Sequence, residues 1–269
     1  MKHYLLLIAT AACMCSFAQA AESRQVIHLN GEWQFAKTEG ALPTVYHSVV
    51  QVPGLVDLAK PSVDTAGVLY KDGWYWHKRT FSMTGSGFDV VQLKIFKAKY
   101  HTKVYVNGQY AGENYYCFTP SYFDIKPFLK AGQTNEIVIG VGCKDQLPDT
   151  IPNGNDYEKT RYIPGIYDNV EITCSNKPFI DNIQCVPDIK NGKLRVVAEI
   201  ETESSKGFRL NYTVSEFSSK RKTATGKIAA KKDKTQGNTI IDFEIDMKDA
   251  TLWTPEQPFL YELSLNTGA

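Results

Sequence analysis

Side chains that could carry out catalysis occur throughout the sequence but form no recognisable catalytic or metal-binding pattern. The 29 aspartates and glutamates, five histidines and six cysteines are dispersed over 269 residues. No HExxH, GxSxG, GxGxxG or Walker A segment occurs, which argues against zinc peptidases, serine hydrolases and nucleotide-binding enzymes. A carboxylate pair acting as acid and base must face each other across a cleft, and no spacing here pairs two of them. The sequence therefore predicts no catalytic residue, no metal and no cofactor.

Four of the six cysteines, Cys117, Cys143, Cys174 and Cys185, lie beyond the first twenty residues. An oxidising compartment would permit disulfides, but no CxxC pair occurs, and a chain of this length can bury a core without covalent links. Unpaired cysteines behave as small apolar side chains. We predict buried free thiols, with Cys143 and Cys174 as the pair to test first for a disulfide.

The first twenty residues have the three parts of a secretory signal peptide. Lys2 supplies a positive charge, residues 4–12 are apolar, and residues 18–20 (AQA) form a small-residue cleavage site. We expect a signal peptide over residues 1–20; lipoprotein processing at Cys13 is the alternative. Either process exports the protein to the periplasm or the cell surface. The apolar run is shorter than the about 20 residues that span a bilayer, so no membrane span is predicted.

The charge balance excludes a general attraction to nucleic acid. Thirty lysines and arginines against 29 acidic residues give a formal net charge of +1, so no strong overall field favours a polyanion. A lysine-rich stretch over residues 220–234 lacks the interleaved aromatic side chains on which single-stranded bases stack. We interpret it as an exposed hairpin or edge strand, whose lysines discourage pairing with other chains.

The hydrophobic pattern alternates with a period near two, which predicts strands and an all-β fold. Asn107-Gly108 between two such runs indicates a tight hairpin, because a type I′ turn needs positive φ at both central residues. Polar residues and Pro178 separate two strand-rich blocks near residues 175–178. We predict a jelly-roll-sized domain over residues 21–175 and an immunoglobulin-sized sandwich over residues 178–269.

Seven short motifs in order resemble the non-catalytic N-terminal domains of glycoside hydrolase family 2. They are residues 29–35 (LNGEWQF), 52–54 (VPG), 76–81 (WHKRTF), 104–108 (VYVNG), 119–125 (TPSYFDI), 161–170 (RYIPGIYDNV) and 252–261 (LWTPEQPFLY). Three departures occur: His77 stands where the family usually has Tyr, one extra residue precedes Gly165, and Tyr167 replaces an Arg. We interpret Trp33 and Trp76 as core residues rather than sugar platforms.

The resemblance implies a galactose-binding-like jelly roll followed by an immunoglobulin-like sandwich without its last strand. In the family these domains precede a (β/α)8 barrel, in the same chain, whose two glutamates hydrolyse β-glycosides with retention, and this sequence contains no such barrel. Three hypotheses follow. The chain is the non-catalytic part of a β-galactosidase-, β-glucuronidase- or β-mannosidase-like enzyme, a standalone exported carbohydrate-binding module, or a structural export.

The resemblance also indicates where sugar would be contacted. In some family members, loops of the first domain line the rim of the active site, and they correspond here to residues 57–72 and 145–161. The second stretch holds side chains able to hydrogen-bond hydroxyls, namely Asn153, Asn155, Asp156, Glu158 and Arg161. An acidic residue that contacts sugar or sodium in the family falls on Asp156 or Glu158. An ordinary polar loop is the other interpretation; loops on rigid scaffolds carry binding disproportionately often.

Overall fold

The computed structural model shows that the chain folds into strands, as the alternating pattern predicts. It describes residues 24–64, 70, 72–85, 87–154, 158, 161–203, 207–230 and 238–267. In this part of the chain the only helices are single 3₁₀ turns at Val56–Leu58, Lys126–Phe128 and Lys144–Gln146. The all-β prediction is confirmed. The predicted signal peptide, residues 1–20, lies outside the described residues.

Two sheets with facing apolar sides form the first sandwich, which covers residues 24–175. Its strands are β1 (Arg24–His28), β2 (Gly31–Thr38), β3 (Ser48–Val52), β4 (Gly54–Leu55), β5 (Trp74–Phe81), β6 (Val90–Ile95), β7 (Ala98–Lys99), β8 (Thr102–Val106), β9 (Gln109–Asn114), β10 (Ser121–Asp124), β11 (Asn135–Gly142), β12 (Gly165–Ile166) and β13 (Val170–Ser175). The four-stranded sheet has the order β1-β13-β6-β10 and the six-stranded sheet the order β3-β2-β5-β11-β8-β9. A short third sheet, β4-β12-β7, lies beside them.

The main core lies between the two large sheets because every second residue of their strands faces inward. In β6 the buried side chains are Val91, Leu93 and Ile95, and in β2 they include Trp33 and Phe35. Trp33 is 1% exposed, and its indole Nε1 donates to the carbonyl of Leu29 at 2.8 Å. The interpretation of Trp33 as a core residue is confirmed.

A second apolar cluster covers the outer face of the six-stranded sheet. Trp74, Trp76 and Val138 are buried there beneath Leu42 and Tyr46. Trp76 is fully buried, as predicted, but it belongs to this outer cluster rather than to the core between the sheets. Its ring occupies the space beside Gly140, where a Cβ would lie 2.5 Å from the indole.

The family motifs have structural roles in this sandwich. Nη1 of Arg79 donates to three carbonyl oxygens of the β1–β2 connection, those of Leu29, Asn30 and Glu32, at 3.0–3.3 Å. The Asn107-Gly108 turn joins β8 to β9 with φ of +50° and +79°. The predicted positive φ at both positions of this hairpin is confirmed.

A buried asparagine holds the end of the first sandwich together. Asn135 is 1% exposed, and its Oδ1 accepts from the backbone N–H of Lys130 and from Nδ2 of Asn107. Its own Nδ2 donates to the carbonyls of Lys130 and Gln133. One buried amide therefore satisfies four polar groups in a part-buried network, and such a network is costly to interrupt.

Replacing Asn135 with alanine is expected to lower the free energy of unfolding by about 2–4 kcal/mol, because the backbone N–H of Lys130 loses its acceptor and the Asn107 amide loses one of its two. Urea denaturation monitored by circular dichroism measures the change. The matched control is Asn211→Ala, since the amide of Asn211 makes one side-chain bond, to Asn266, at the surface. Equal losses in the two variants would show that the buried network adds nothing.

The second sandwich, residues 179–266, consists of two three-stranded antiparallel sheets. Its strands are β14 (Phe179–Asp188), β15 (Lys193–Glu201), β16 (Phe208–Glu216), β17 (Lys222–Ala230), β18 (Asn238–Asp246) and β19 (Tyr261–Asn266). The orders are β14-β15-β18 and β17-β16-β19, and both sheets contribute to a core that includes Ile200, Leu210 and Ile241. β17, in the lysine-rich stretch, is an edge strand, as predicted. The limits 21–175 and 178–269 remain predictions.

A polar junction connects the two sandwiches. Nζ of Lys177 lies 2.7 Å from carboxylate oxygens of both Glu201 and Glu203. The backbone N–H of Lys177 donates to Oδ2 of Asp89 at 2.9 Å. Arg24 of β1 stacks on the buried ring of Phe179 at 5.3 Å and donates to the carbonyl of Ile180. Both sandwiches are thus anchored at the linker.

The cysteines are unpaired, and three of the four predictions about their burial are confirmed. Cys117, Cys143 and Cys174 are buried, whereas Cys185 is exposed. Cys143 donates to the carbonyl of Asp72 and Cys174 contacts the sulfur of Met83, so these two thiols have separate partners. The prediction for Cys185 is wrong because β14 is an edge strand whose residues 181–188 face solvent. Among the described residues, no helix is long and apolar enough to cross a membrane.

Candidate functional site

The two loops predicted to contact sugar lie at the same end of the first sandwich. The three-stranded sheet β4-β12-β7 lies between their attachment points, with Gly165 paired to both Leu55 and Lys99. The backbone N–H of Val56 donates to the carbonyl of Pro164 at 3.1 Å. The beginning of the first loop and the end of the second are therefore held together by backbone hydrogen bonds. We call this end of the sandwich, formed by the described residues within 57–72 and 145–161, the rim.

A buried carboxylate anchors the first loop. The side chain of Asp64 is 4% exposed, and its Oδ1 lies 2.6 Å from Nζ of Lys37. The hydroxyl of Tyr75 donates to Oδ2 of Asp64 at 2.9 Å. Because both oxygens have a donor and the charge has a counterion, the carboxylate is stable away from water. The ion pair fixes the loop to strand β2, and the Tyr75 hydrogen bond fixes it to strand β5.

Arg161 of the second loop binds to the first loop. Its guanidinium carbon lies 5.5 Å from the ring centre of Tyr70, and Nη2 donates to the Tyr70 hydroxyl at 3.4 Å. The Tyr70 ring is 4% exposed and lies 6.2 Å from the ring of Tyr75. Arg161 itself is exposed. The rim thus presents a cation to solvent on the ring of Tyr70, which itself packs at a tilt against buried Tyr75.

A second contact joins the loops at Asp72. Nε2 of Gln146 donates to Oδ1 of Asp72 at 2.9 Å, and the backbone N–H of Gly73 donates to the same oxygen. These bonds favour the ionised carboxylate, so the pKa of Asp72 is lowered, first by the Gln146 bond. Burial raises the pKa of the neighbouring Cys143 to about 12. Cys143 is therefore a neutral thiol with no nucleophilic character.

The structure brings some of the predicted contact residues to the rim. Asn153 is half-buried, and Glu158 and Arg161 are exposed. Gly154, next to Asn153, lies against the ring of Phe118, and a Cβ at Gly154 would meet that ring at 2.7 Å. Asn155 and Asp156 lie outside the described residues, so Asp156 and Glu158 remain alternatives for the acidic contact.

Sequence reasoning missed the aromatic loop that follows β9. Tyr116 and Phe118 are about half exposed, while Tyr115 and Cys117 pack with Tyr100, Leu147 and Tyr162 beneath the second loop. Nζ of Lys99 lies 5.7 Å from the Phe118 ring. The run YYCF at residues 115–118 was the available signal, because adjacent aromatics in a loop cannot all face one core.

The described part of the rim combines side chains that suit ligand binding. It offers amide, carboxylate and guanidinium groups beside exposed aromatic rings, the mixture that fixes a polar ligand with an apolar face. The described residues contain no group of three His, Cys, Asp or Glu side chains that could hold a metal. The carboxylates of Asp64 and Asp72 are both occupied by protein donors.

Comparisons with known proteins agree with this architecture. Residues 22–175 match the family model "Glycosyl hydrolases family 2, sugar binding domain", and residues 179–268 match "Glycosyl hydrolases family 2". A β-galactosidase of Thermoanaerobacter pseudethanolicus is 27% identical over 166 residues, which cover 61% of this chain and 22% of the relative. The β-galactosidase large subunit of Leuconostoc lactis is 24% identical, over 90% of this chain and 44% of the relative.

A solved structure supports the fold independently. The crystal structure of Bacteroides uniformis β-glucuronidase aligns with a TM-score of 0.67 at 21% identity, covering 91% of this chain and 30% of that one. The chain thus spans less than half the length of each of these three proteins. Its two sandwiches correspond to the N-terminal domains of such enzymes. Since one family model alone covers more than half of the sequence, the chain belongs to glycoside hydrolase family 2.

Proposed function

We propose that this chain is the non-catalytic part of a family 2 enzyme that acts on β-glycosides in carbohydrate degradation. A (β/α)8 barrel would supply the two glutamates, and the rim would contribute contacts to the sugar. The observation that carries the proposal is the meeting of the two predicted loops through Tyr70 and Arg161. Support also comes from the relatives, whose names state β-galactosidase or β-glucuronidase activity.

The rim residues have chemistry that fits this role. Asn153 and Glu158 can accept hydrogen bonds from sugar hydroxyls, and Arg161 can donate to ring or hydroxyl oxygens. Asn155 and Asp156, which lie outside the described residues, have side chains with the same hydrogen-bonding chemistry. A rigid sandwich fixes the ends of both loops, so a ligand need not pay for ordering them at their attachment points.

The second candidate function is a standalone exported carbohydrate-binding module. The exposed ring of Phe118 against Gly154 favours it, because a flat aromatic face can pack against the apolar face of a pyranose without help from a barrel. A purely structural role is the third possibility, and it requires only two stable sandwiches.

Titration of the purified chain with methyl β-galactoside, β-glucuronide and β-mannoside distinguishes these roles. We expect dissociation constants on the order of 1 mM, weakened by Arg161→Ala and by Asn153→Ala. Asn191→Ala, an exposed amide of the second sandwich, serves as the matched control. Absence of binding with normal folding would favour the structural role. Loss of binding on Phe118→Ala alone would favour the standalone module.

The isolated chain is expected to be inert toward aryl β-glycosides, since the proposed function assigns the acid and nucleophile glutamates to the barrel and the rim carboxylates of Asp64 and Asp72 already accept from protein donors. A chromogenic assay at millimolar substrate measures this directly. Turnover that disappears on mutation of a carboxylate in this chain would contradict the proposal.

We also propose export through the signal peptide at residues 1–20, which is based on the charge and hydropathy pattern of the sequence. N-terminal sequencing of the mature protein should begin at Ala21. A lipid-modified Cys13 at the N-terminus would instead establish the lipoprotein route.

A further inference from the structure

Asp64 is the buried carboxylate of the first rim loop, and a chain of contacts joins it to the exposed Arg161 of the second. It is buried, with Lys37 on one oxygen and the Tyr75 hydroxyl on the other. Tyr75 is itself fully buried and stacks on Phe35 of the main core at 6.0 Å. The carboxylate is therefore held from the side of the core by one ion pair and one hydrogen bond.

Two further contacts join Tyr75 to the exposed Arg161 through Tyr70. The Tyr75 ring lies 6.2 Å from the ring of Tyr70, and Tyr70 supports the guanidinium of Arg161 through its ring and its hydroxyl. Tyr70 has φ of +55°, a left-handed conformation that a bulky residue adopts only when its surroundings hold it there. Each step from Asp64 to Arg161 is thus a direct packing or hydrogen-bonding contact between described residues.

We propose that Asp64 is a positioning residue for the rim: through Tyr75 and Tyr70 it fixes the exposed guanidinium of Arg161 in one place. This inference rests on the proposed function for its biological meaning, but not for its geometry. A guanidinium held on an aromatic ring loses less conformational entropy on binding a ligand oxygen than a free one would. Losing the support should free the Arg161 side chain without unfolding the sandwich.

The rate at which trypsin cleaves after Arg161 measures how firmly this side chain is held. Trypsin binds the side chain in its own specificity pocket, so the guanidinium must first leave the Tyr70 ring. Asp64→Asn keeps the shape of the side chain but removes the charge that pairs with Lys37 and makes the Tyr75 hydroxyl give up or reverse its hydrogen bond. Tyr75→Phe removes only the hydroxyl. Tyr70→Ala removes the ring and hydroxyl that contact Arg161, and it therefore gives the highest rate of cleavage after Arg161 to be expected. Asp242→Asn breaks the Arg195–Asp242 ion pair on the surface of the second sandwich and is the matched control.

The expected result is cleavage after Arg161 that is about tenfold faster in Asp64→Asn and Tyr75→Phe, and unchanged in Asp242→Asn. Cleavage after Arg221 and Lys227 of the second sandwich should stay at the wild-type rate. Unchanged cleavage after Arg161 would overturn the proposal. Equal acceleration at all three positions would also overturn it, because a general loss of stability explains that pattern.

Titration with the three methyl glycosides separates this inference from the proposed function. If the wild-type chain binds none of them but the selective cleavage is observed, the proposed function fails and the positioning role stands. If the wild type binds and both variants bind equally well, positioning of Arg161 does not serve the ligand, and the inference fails while the function stands. Weaker binding by both variants supports both.

Discussion

Replacing Trp33 with alanine is expected to lower the free energy of unfolding by about 3–5 kcal/mol, the range found for large aromatic residues removed from packed cores. The indole is 1% exposed between the two large sheets, and its Nε1 hydrogen bond to Leu29 holds the connection between β1 and β2. A cavity of that size cannot be filled by the strands around it, because their backbones are fixed by ladder hydrogen bonds on both sides.

The chain supplies a matched control for this substitution. Trp253 lies in another family motif but is 57% exposed, so Trp253→Ala should cost less than about 1 kcal/mol. Unfolding in urea should be followed by far-UV circular dichroism, since either substitution alters the fluorescence signal. A small loss for Trp33→Ala would show that this tryptophan is not part of the stabilising core. Sugar binding that disappears in a folded Trp33→Ala variant would support a platform role instead.

The strands and the tight hairpin were predictable because they depend on local sequence. Alternation of side chains in runs such as β16 and β18 is visible residue by residue. The Asn107-Gly108 turn follows from the φ angles that those two residues tolerate. The edge position of the lysine-rich β17 could likewise be inferred from its charges.

The outer-face cluster could not be predicted, because it depends on which strands are neighbours. Trp76 alternates with Tyr75 and His77 along β5, so the sequence alone does not show which face is the core. Only the pairing of β5 with β11 places Gly140 opposite Trp76 and makes room for its ring. The burial of Trp76 was therefore predicted correctly, but its location was not.

The contacts within the rim were even less predictable from the sequence. Both loops were predicted from the family resemblance, but Tyr70 and Arg161 are 91 residues apart and have no local signal for contact. Nothing in the local sequence distinguishes Asp64 from an ordinary surface aspartate. Its carboxylate is buried because Lys37 of β2 and Tyr75 of β5 both bind to it. Long-range polar networks of this kind require the fold before they can be recognised.

His77 gives the fold an intrinsic sensitivity to acid. It occupies an inward-facing position of β5, with its ring edge-on to Phe35 at 4.9 Å and Nδ1 3.3 Å from the carbonyl oxygen of Ile139. Burial lowers the pKa of His77 to about 4, since no acidic side chain compensates the charged form. In the unfolded chain the pKa returns to about 6.5. The folded protein therefore excludes a proton that the unfolded chain binds.

Because the pKa of His77 is lower in the folded than in the unfolded chain, acid lowers the free energy of unfolding. Above about pH 6.5 the imidazole is neutral in both states, and its burial carries no penalty from protonation. As the pH falls from about 6.5 to about 4, the unfolded chain gains a proton that the folded chain does not, so the free energy of unfolding decreases by about 1.4 kcal/mol per pH unit. Below about pH 4, His77 is protonated in both states and no longer changes the free energy of unfolding.

The variant His77→Phe should remove this part of the pH dependence while keeping a ring against Phe35. Between pH 7.5 and pH 4.5, we expect the wild type to lose about 2–3 kcal/mol more unfolding free energy than His77→Phe does. The difference between the two proteins is the relevant quantity, because burial also lowers the pKa of His101 and adds a slope of the same sign to both. His47→Gln, at an exposed histidine, should follow the wild type. Identical slopes for wild type and His77→Phe would mean that His77 titrates normally in the folded protein and that its ring reaches water.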